Sequence, residues 1–150
     1  MLAGMSAANL QGLLVSTVDV DLWVGLPSRQ YMRVINLCLR LGATIRSANK
    51  VYLSDDLPVD FIYEVSGLRD FDRELLKARR LNFHGVRIPV LTLEQICRSK
   101  RVAGRDKDNL HLLLINQFQT NQRADRRARE RVRRAREAKR KPVKPHAHHK

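Results

Sequence analysis

Apolar and polar positions change period several times along this chain, and each change marks an element. Met1, Leu2 and Ala3 make a short apolar start before Gly4. Ser6 can cap a short helix running to about Gln11, with Gly12 to end it. Val18, Val20 and Leu22 then alternate with Asp19, Asp21 and Trp23, a period of two that predicts a strand over 18–24. Pro27 and Ser28 start a helix. Its apolar residues Tyr31, Val34, Ile35, Cys38 and Leu41 recur at helical spacing, and Gly42 closes it. Short strands are expected over 43–45 and 51–53, around Asn49-Lys50, with a turn at Asp55-Asp56.

Residues 59–65 form a second β-rich run in which Asp60 sits among Val59, Phe61 and Ile62. The polar segment 70–80 is expected to be helical. A strand over 86–91 follows, with Pro89 suggesting an edge or a strand end. Thr92 with Gln95 three residues on is a capping-box pattern. Asp106 should begin the last helix of the body, which carries Leu110, Leu113, Leu114 and Phe118. Strands and helices that alternate in this way predict an α/β (α+β) domain.

Charge changes the picture at the C-terminal end. Of the net +14, residues 1–120 contribute +4 and residues 121–150 contribute +10. The expected organisation is therefore a folded domain over 1–119 and a basic Arg/Lys-rich tail over 120–150. The stretch 123–140 has only Ala124, Ala128, Val132 and Ala135 in line, and reads as a solvated, conditionally helical arm. Pro142, Pro145 and residues 146–150, with His146, His148 and His149, read as a disordered end. Arg126, Arg127, Arg131, Arg133 and Arg134 are the residues expected to contact a polyanion, RNA above all. No aromatic side chain lies in the tail, so stacking on bases is not expected.

The two cysteines, Cys38 and Cys97, lie far apart within apolar helical patterns and read as buried free thiols in a reducing compartment. No apolar run reaches the ~20 residues of a membrane span, and residues 1–15 lack the basic start of a signal peptide. The expected location is the cytoplasm, away from membranes. His84 and His111 are isolated; His111 stands three residues after Asp108 and is read as structural.

Candidate chemistry rests on acids. Asp19 and Asp21, two apart on one strand, leave the same face, where their charges repel and where strand propensity disfavours them. A divalent cation turns that repulsion into shared coordination. A polar strand edge with both aspartates merely solvated is the structural alternative. If the strand bearing Asp60 is a neighbour, three carboxylates meet at one point, as a two-magnesium site requires.

The residues around these acids are similar to the DNA polymerase β-like nucleotidyltransferase superfamily, in particular its minimal bacterial members of abortive-infection toxin type. The resemblance is carried by Gly4-Met5, then Ser16-Thr17-Val18-Asp19-Val20-Asp21, then Val59-Asp60-Phe61, and last Lys100, Arg105, Lys107 and Asp108 before an apolar helix. It covers roughly residues 3–118. It implies a short mixed sheet with packed helices and transfer of a nucleoside monophosphate from an NTP to an RNA or protein hydroxyl. Two Mg2+ ions would be held by Asp19, Asp21 and Asp60, the last also helping to deprotonate the acceptor. Gly4, Thr17, Lys100, Arg105 and Lys107 would face the nucleotide. Three features depart from the pattern: Met5 where a second small residue stands, Val15 where relatives often carry Arg, and a first strand cut to about three residues ahead of Gly4. A second expectation therefore stands beside the enzyme. It is a catalytically degenerate module of the same fold that binds nucleic acid or a partner protein through its basic tail.

Overall fold

A computed structural model describes residues 1–53 and 56–140. Asp55, part of the expected turn, and residues 141–150, including the three tail histidines, lie outside the described residues. The chain divides into two compact units after Ile115, a few residues ahead of the boundary expected at 119. Ile115 is fully buried, and beyond it the helix carries mainly polar and charged side chains, so the body ends there.

The first unit is a mixed α/β domain. Its elements are α1 (Gly4–Leu10), β1 (Val20–Trp23), a 3₁₀ turn (Ser28–Gln30), α2 (Tyr31–Arg40), β2 (Thr44–Ser47), β3 (Lys50–Leu53), β4 (Leu57–Ile62), α3 (Phe71–Leu75), β5 (Arg79–Phe83), β6 (Val86–Val90), α4 (Leu93–Ala103) and the first turns of α5 (Asp106–Arg140). The main sheet has the order β1-β4-β3-β2; β1 and β4 are parallel, the other pairs antiparallel. β5 and β6 form a separate antiparallel hairpin. Leu2 bridges the two sheets, pairing with Leu22 of β1 and Val90 of β6. The apolar start is thus a structural joint, sealed by hydrogen bonds from Leu2 N to Pro89 O and from Ala3 N to Asp21 O, each 2.8 Å long.

Alternation sets the faces of the sheet. Val59 and Phe61 of β4, with Val51 of β3, pack on Ile35 and Cys38 of α2, and Val20 and Leu22 of β1 close against the same cluster. The opposite face of β1 carries Asp21 and Trp23, beside which α1 packs. Trp23 is buried, edge-on to Phe71 with ring centroids 5.5 Å apart, and donates from Nε1 to Tyr63 O.

Several expectations are met. The Thr92–Gln95 capping box forms in both directions, and Gly104 ends α4 in the left-handed conformation at φ 61°. Asp106 starts α5. Cys38 and Cys97 are free and buried. The arm through Arg140 is helical. No helix among the described residues is long and apolar enough to cross a membrane.

Others are corrected. α1 begins at Gly4, and Ser6 caps nothing; its hydroxyl donates to Asp19 O at 2.7 Å. The strand expected over 18–24 is shorter, so Asp19 lies one residue ahead of β1. The run over 59–65 shifts back to Leu57–Ile62, and the turns around β2 and β3 shift by a residue or two. The helix expected over 70–80 stops at Leu75, and Arg79–Phe83 is a strand. No residue of β5 is buried, so it shows no apolar alternation; only its pairing with β6, Arg79 against Val90 and Leu81 against Ile88, makes it a strand.

Candidate metal centre

Parallel register places Asp21 of β1 directly beside Asp60 of β4. Asp19, just ahead of β1, is oriented by Thr17, whose hydroxyl donates to its carbonyl at 3.1 Å and reaches its carboxylate at 3.4 Å. One carboxylate oxygen from each of Asp19, Asp21 and Asp60 lies within 4.8 Å of the others. That separation is close to twice the ~2.1–2.5 Å oxygen–metal distances of Mg2+ and Ca2+. The three acids expected to converge do so.

Burial, then the like charges of Asp19 and Asp60, push the Asp21 carboxyl above its ordinary range; Lys100 and Lys107 pull it back in part. The repulsion is therefore present in the folded chain and not relieved by hydrogen bonds alone. Asp60 Oδ2 is met by Lys50 Nζ at 3.0 Å, from the directly opposed position of β3. The hydrogen bond to Asp60 raises the Lys50 ammonium above its ordinary pKa. Asp60 Oδ1 is buried and has no hydrogen-bond partner among the described residues. A buried carboxylate oxygen without a donor is costly unless something positive meets it. An all-oxygen donor set of three carboxylates suits a hard divalent cation such as Mg2+, so these residues fit the ion that the resemblance implies.

Gly4 stands against the acids through its own backbone. It holds φ +61°, and a Cβ there would fall 1.9 Å from Asp21 Oδ2. The close approach demanded of Gly4 is thus made to a carboxylate of the same chain. Met5, the next residue, is buried and lines the acidic cleft.

The cleft encloses about 360 Å³ and has a basic side formed by Lys100, Arg105 and Lys107, with His111 between. The resemblance implied that Lys100 and Arg105 face the nucleotide. The fold gives both a partner, the fully buried Asp108: Lys100 Nζ donates to Oδ1 at 2.8 Å and Arg105 Nε to Oδ2 at 2.7 Å. Burial alone would raise the Asp108 carboxyl; the hydrogen bonds from Arg105 and Lys100 overcome this and lower it to about 2. Lys100 is itself buried, whereas the Arg105 side chain is 60% exposed and remains able to reach a ligand. His111 Nδ1 lies 4.0 Å from Asp108 Oδ1, and burial followed by the Lys100 charge lowers its pKa, which keeps it neutral at pH 7. Asp108, Lys50 and His111 are the members of this site whose parts were not legible beforehand. Spacing three or eight residues from Asp108 gave a weak hint for Arg105, His111 and Lys100; nothing local marked Lys50.

In the second unit, two of the five arginines expected to meet a polyanion are already paired. Arg126 Nε lies 3.0 Å from Glu130 Oε1, and Arg133 Nε 3.6 Å from Glu137 Oε1. Arg127, Arg131 and Arg134 form no ion pair among the described residues.

No protein-family model, no curated protein and no solved structure matches this chain.

Proposed function

We propose that the first unit is a metal-dependent nucleotidyltransferase that moves a nucleoside monophosphate from an NTP to a hydroxyl of RNA or protein. The observation that carries this reading is the register of β1 and β4. It sets Asp21 against Asp60, with Asp19 alongside, in a cleft whose other side is basic. Asp19, Asp21 and Asp60 would hold Mg2+, two ions in the active state. Bound there, the metal supplies Lewis-acid polarisation of the α-phosphate and a lowered pKa for the acceptor hydroxyl. The rest of the work falls to the chain. Asp60, with one oxygen on Lys50 and one unsatisfied, is the group suited to take the acceptor's proton. Arg105 and Lys107 would meet the triphosphate charge, with Lys100 fixed behind them on Asp108. Gly4 keeps its backbone flush with Asp21, and Thr17 holds Asp19 in place.

The test is incubation with each labelled NTP, Mg2+ and total RNA or candidate proteins. One acceptor should become labelled, and Asp19→Asn should abolish the signal. Full labelling by that variant would sink the proposal. The buried Met5 at the cleft favours a second reading, a module that keeps the fold and binds nucleic acid or a partner protein without transfer. Nucleotide-independent binding of RNA, with no labelling from any NTP, would select it.

A further inference from the structure

The arginines of the second unit are not equivalent. With ~100° between successive residues of a helix, Arg123, Arg127, Arg131 and Arg134 fall within an arc of about 80°. They form one row along ~17 Å of the axis, and none of them makes an ion pair among the described residues. All four are exposed. Glu130 and Glu137 border this row, but each turns to the arginine one turn before it, Arg126 and Arg133. Duplex nucleic acid carries a negative charge about every 1.7 Å of its axis, both strands counted, or about every 3.4 Å along one strand, so a row of this length lies along about five phosphates of a single strand.

What the helix lacks narrows the partner. Residues 119–140 contain no aromatic side chain to stack on unpaired bases. The face opposite the row carries Asp125, Arg129 and Arg136, and Ala124, Ala128, Val132 and Ala135 form only a narrow strip beside the row, too little apolar surface to sink into a bilayer. We propose that the second unit binds double-stranded nucleic acid through the phosphate contacts of Arg123, Arg127, Arg131 and Arg134, while Glu130 and Glu137 withhold Arg126 and Arg133. No residue of the acidic cleft takes part, so the contact survives Asp19→Asn whether or not transfer occurs.

The experiment measures anisotropy of the full-length chain with a short labelled RNA duplex, the DNA duplex of the same sequence and one single strand, over a salt series. Vesicles containing phosphatidylserine serve as the membrane arm. Each phosphate contact contributes ~0.9 to the slope of log K against log salt. Changing the four row arginines to Gln should flatten that slope by about 3 to 4, and changing Arg126 and Arg133 should flatten it by less than about 1. Glu130→Gln with Glu137→Gln releases two arginines and should steepen it by up to about 2. This gain does not depend on the fourfold variant keeping its helix, which circular dichroism reports. Binding of either duplex ahead of the single strand supports the proposal. It is overturned if Arg126 and Arg133 cost as much slope per arginine as the row, if the Glu130/Glu137 variant leaves the slope unchanged, or if the vesicles or the single strand bind as tightly as the duplexes.

Discussion

Asp108 is where the first unit has most to lose. Its side chain is wholly buried, and its carboxyl is lowered from the ordinary 3.8 to about 2 by Arg105 and Lys100. A depression of that size corresponds to about 2 kcal/mol of stability at neutral pH. Asp108→Asn also strands the Lys100 ammonium, whose side chain is 10% exposed. Breaking a buried pair on one side typically costs about 3–5 kcal/mol. Arg105, 60% exposed, adds little because solvent screens it. The expected loss is about 3 kcal/mol, read by urea denaturation followed by circular dichroism at pH 7. The pH dependence has a definite sign. A carboxyl with a depressed folded pKa stabilises fully above its unfolded value and loses that contribution as pH falls from about 3.8 towards about 2. The difference between the wild-type chain and Asp108→Asn should therefore shrink across that window. Replacing both partners, Asp108→Leu with Lys100→Met, should recover most of the loss, because a buried pair exchanged for apolar side chains is often neutral. A loss below about 1 kcal/mol at pH 7, or equal acid sensitivity with and without Asp108, would refute the reasoning.

Two further outcomes follow from the acidic cleft. Asp21 has a raised carboxyl pKa, so its contribution to stability is largest at low pH and falls as pH rises through the folded value. Asp21→Asn should therefore raise the melting temperature without metal, reflecting a stability gain of up to about 1 kcal/mol for relief of a directly opposed like-charge pair. If Asp19, Asp21 and Asp60 hold Mg2+ as proposed, added Mg2+ should stabilise the wild-type chain and Asp21→Asn should abolish that gain. Melting curves with and without Mg2+ check both halves, and a variant less stable than wild type in metal-free buffer contradicts the first. Gly4→Ala places a methyl group 1.9 Å from Asp21 Oδ2 at φ +61°. It should cost about 1–2 kcal/mol in backbone strain and remove the Mg2+ response by displacing the carboxylate; an undiminished Mg2+ shift counts against that role for Gly4.

Local rules were enough for a good part of this protein. The period-two run before Trp23, the Thr92–Gln95 capping box, the start of α5 at Asp106 and the two buried cysteines each depend on residues a few positions apart, and the folded chain has them all. The three acids were also visible as residues, because aspartates in apolar extended runs go against propensity. Their meeting was implied by the family resemblance and not by any spacing along the chain. β1 and β4 are neighbours only because the sheet takes the order β1-β4-β3-β2, a choice made by packing on α2 and not by any nearby pair of residues. The same holds for Lys50, brought opposite Asp60 by the register of β3, and for β5, whose exposed residues carry no pattern and become a strand only against β6. The pairing of Lys100 and Arg105 with Asp108 likewise became evident only when tertiary structure buried Asp108 between them. Periodicity reports which face of an element avoids water. Which faces then meet, and which charges must be answered there, is decided by contacts across dozens of residues that only the completed fold brings together.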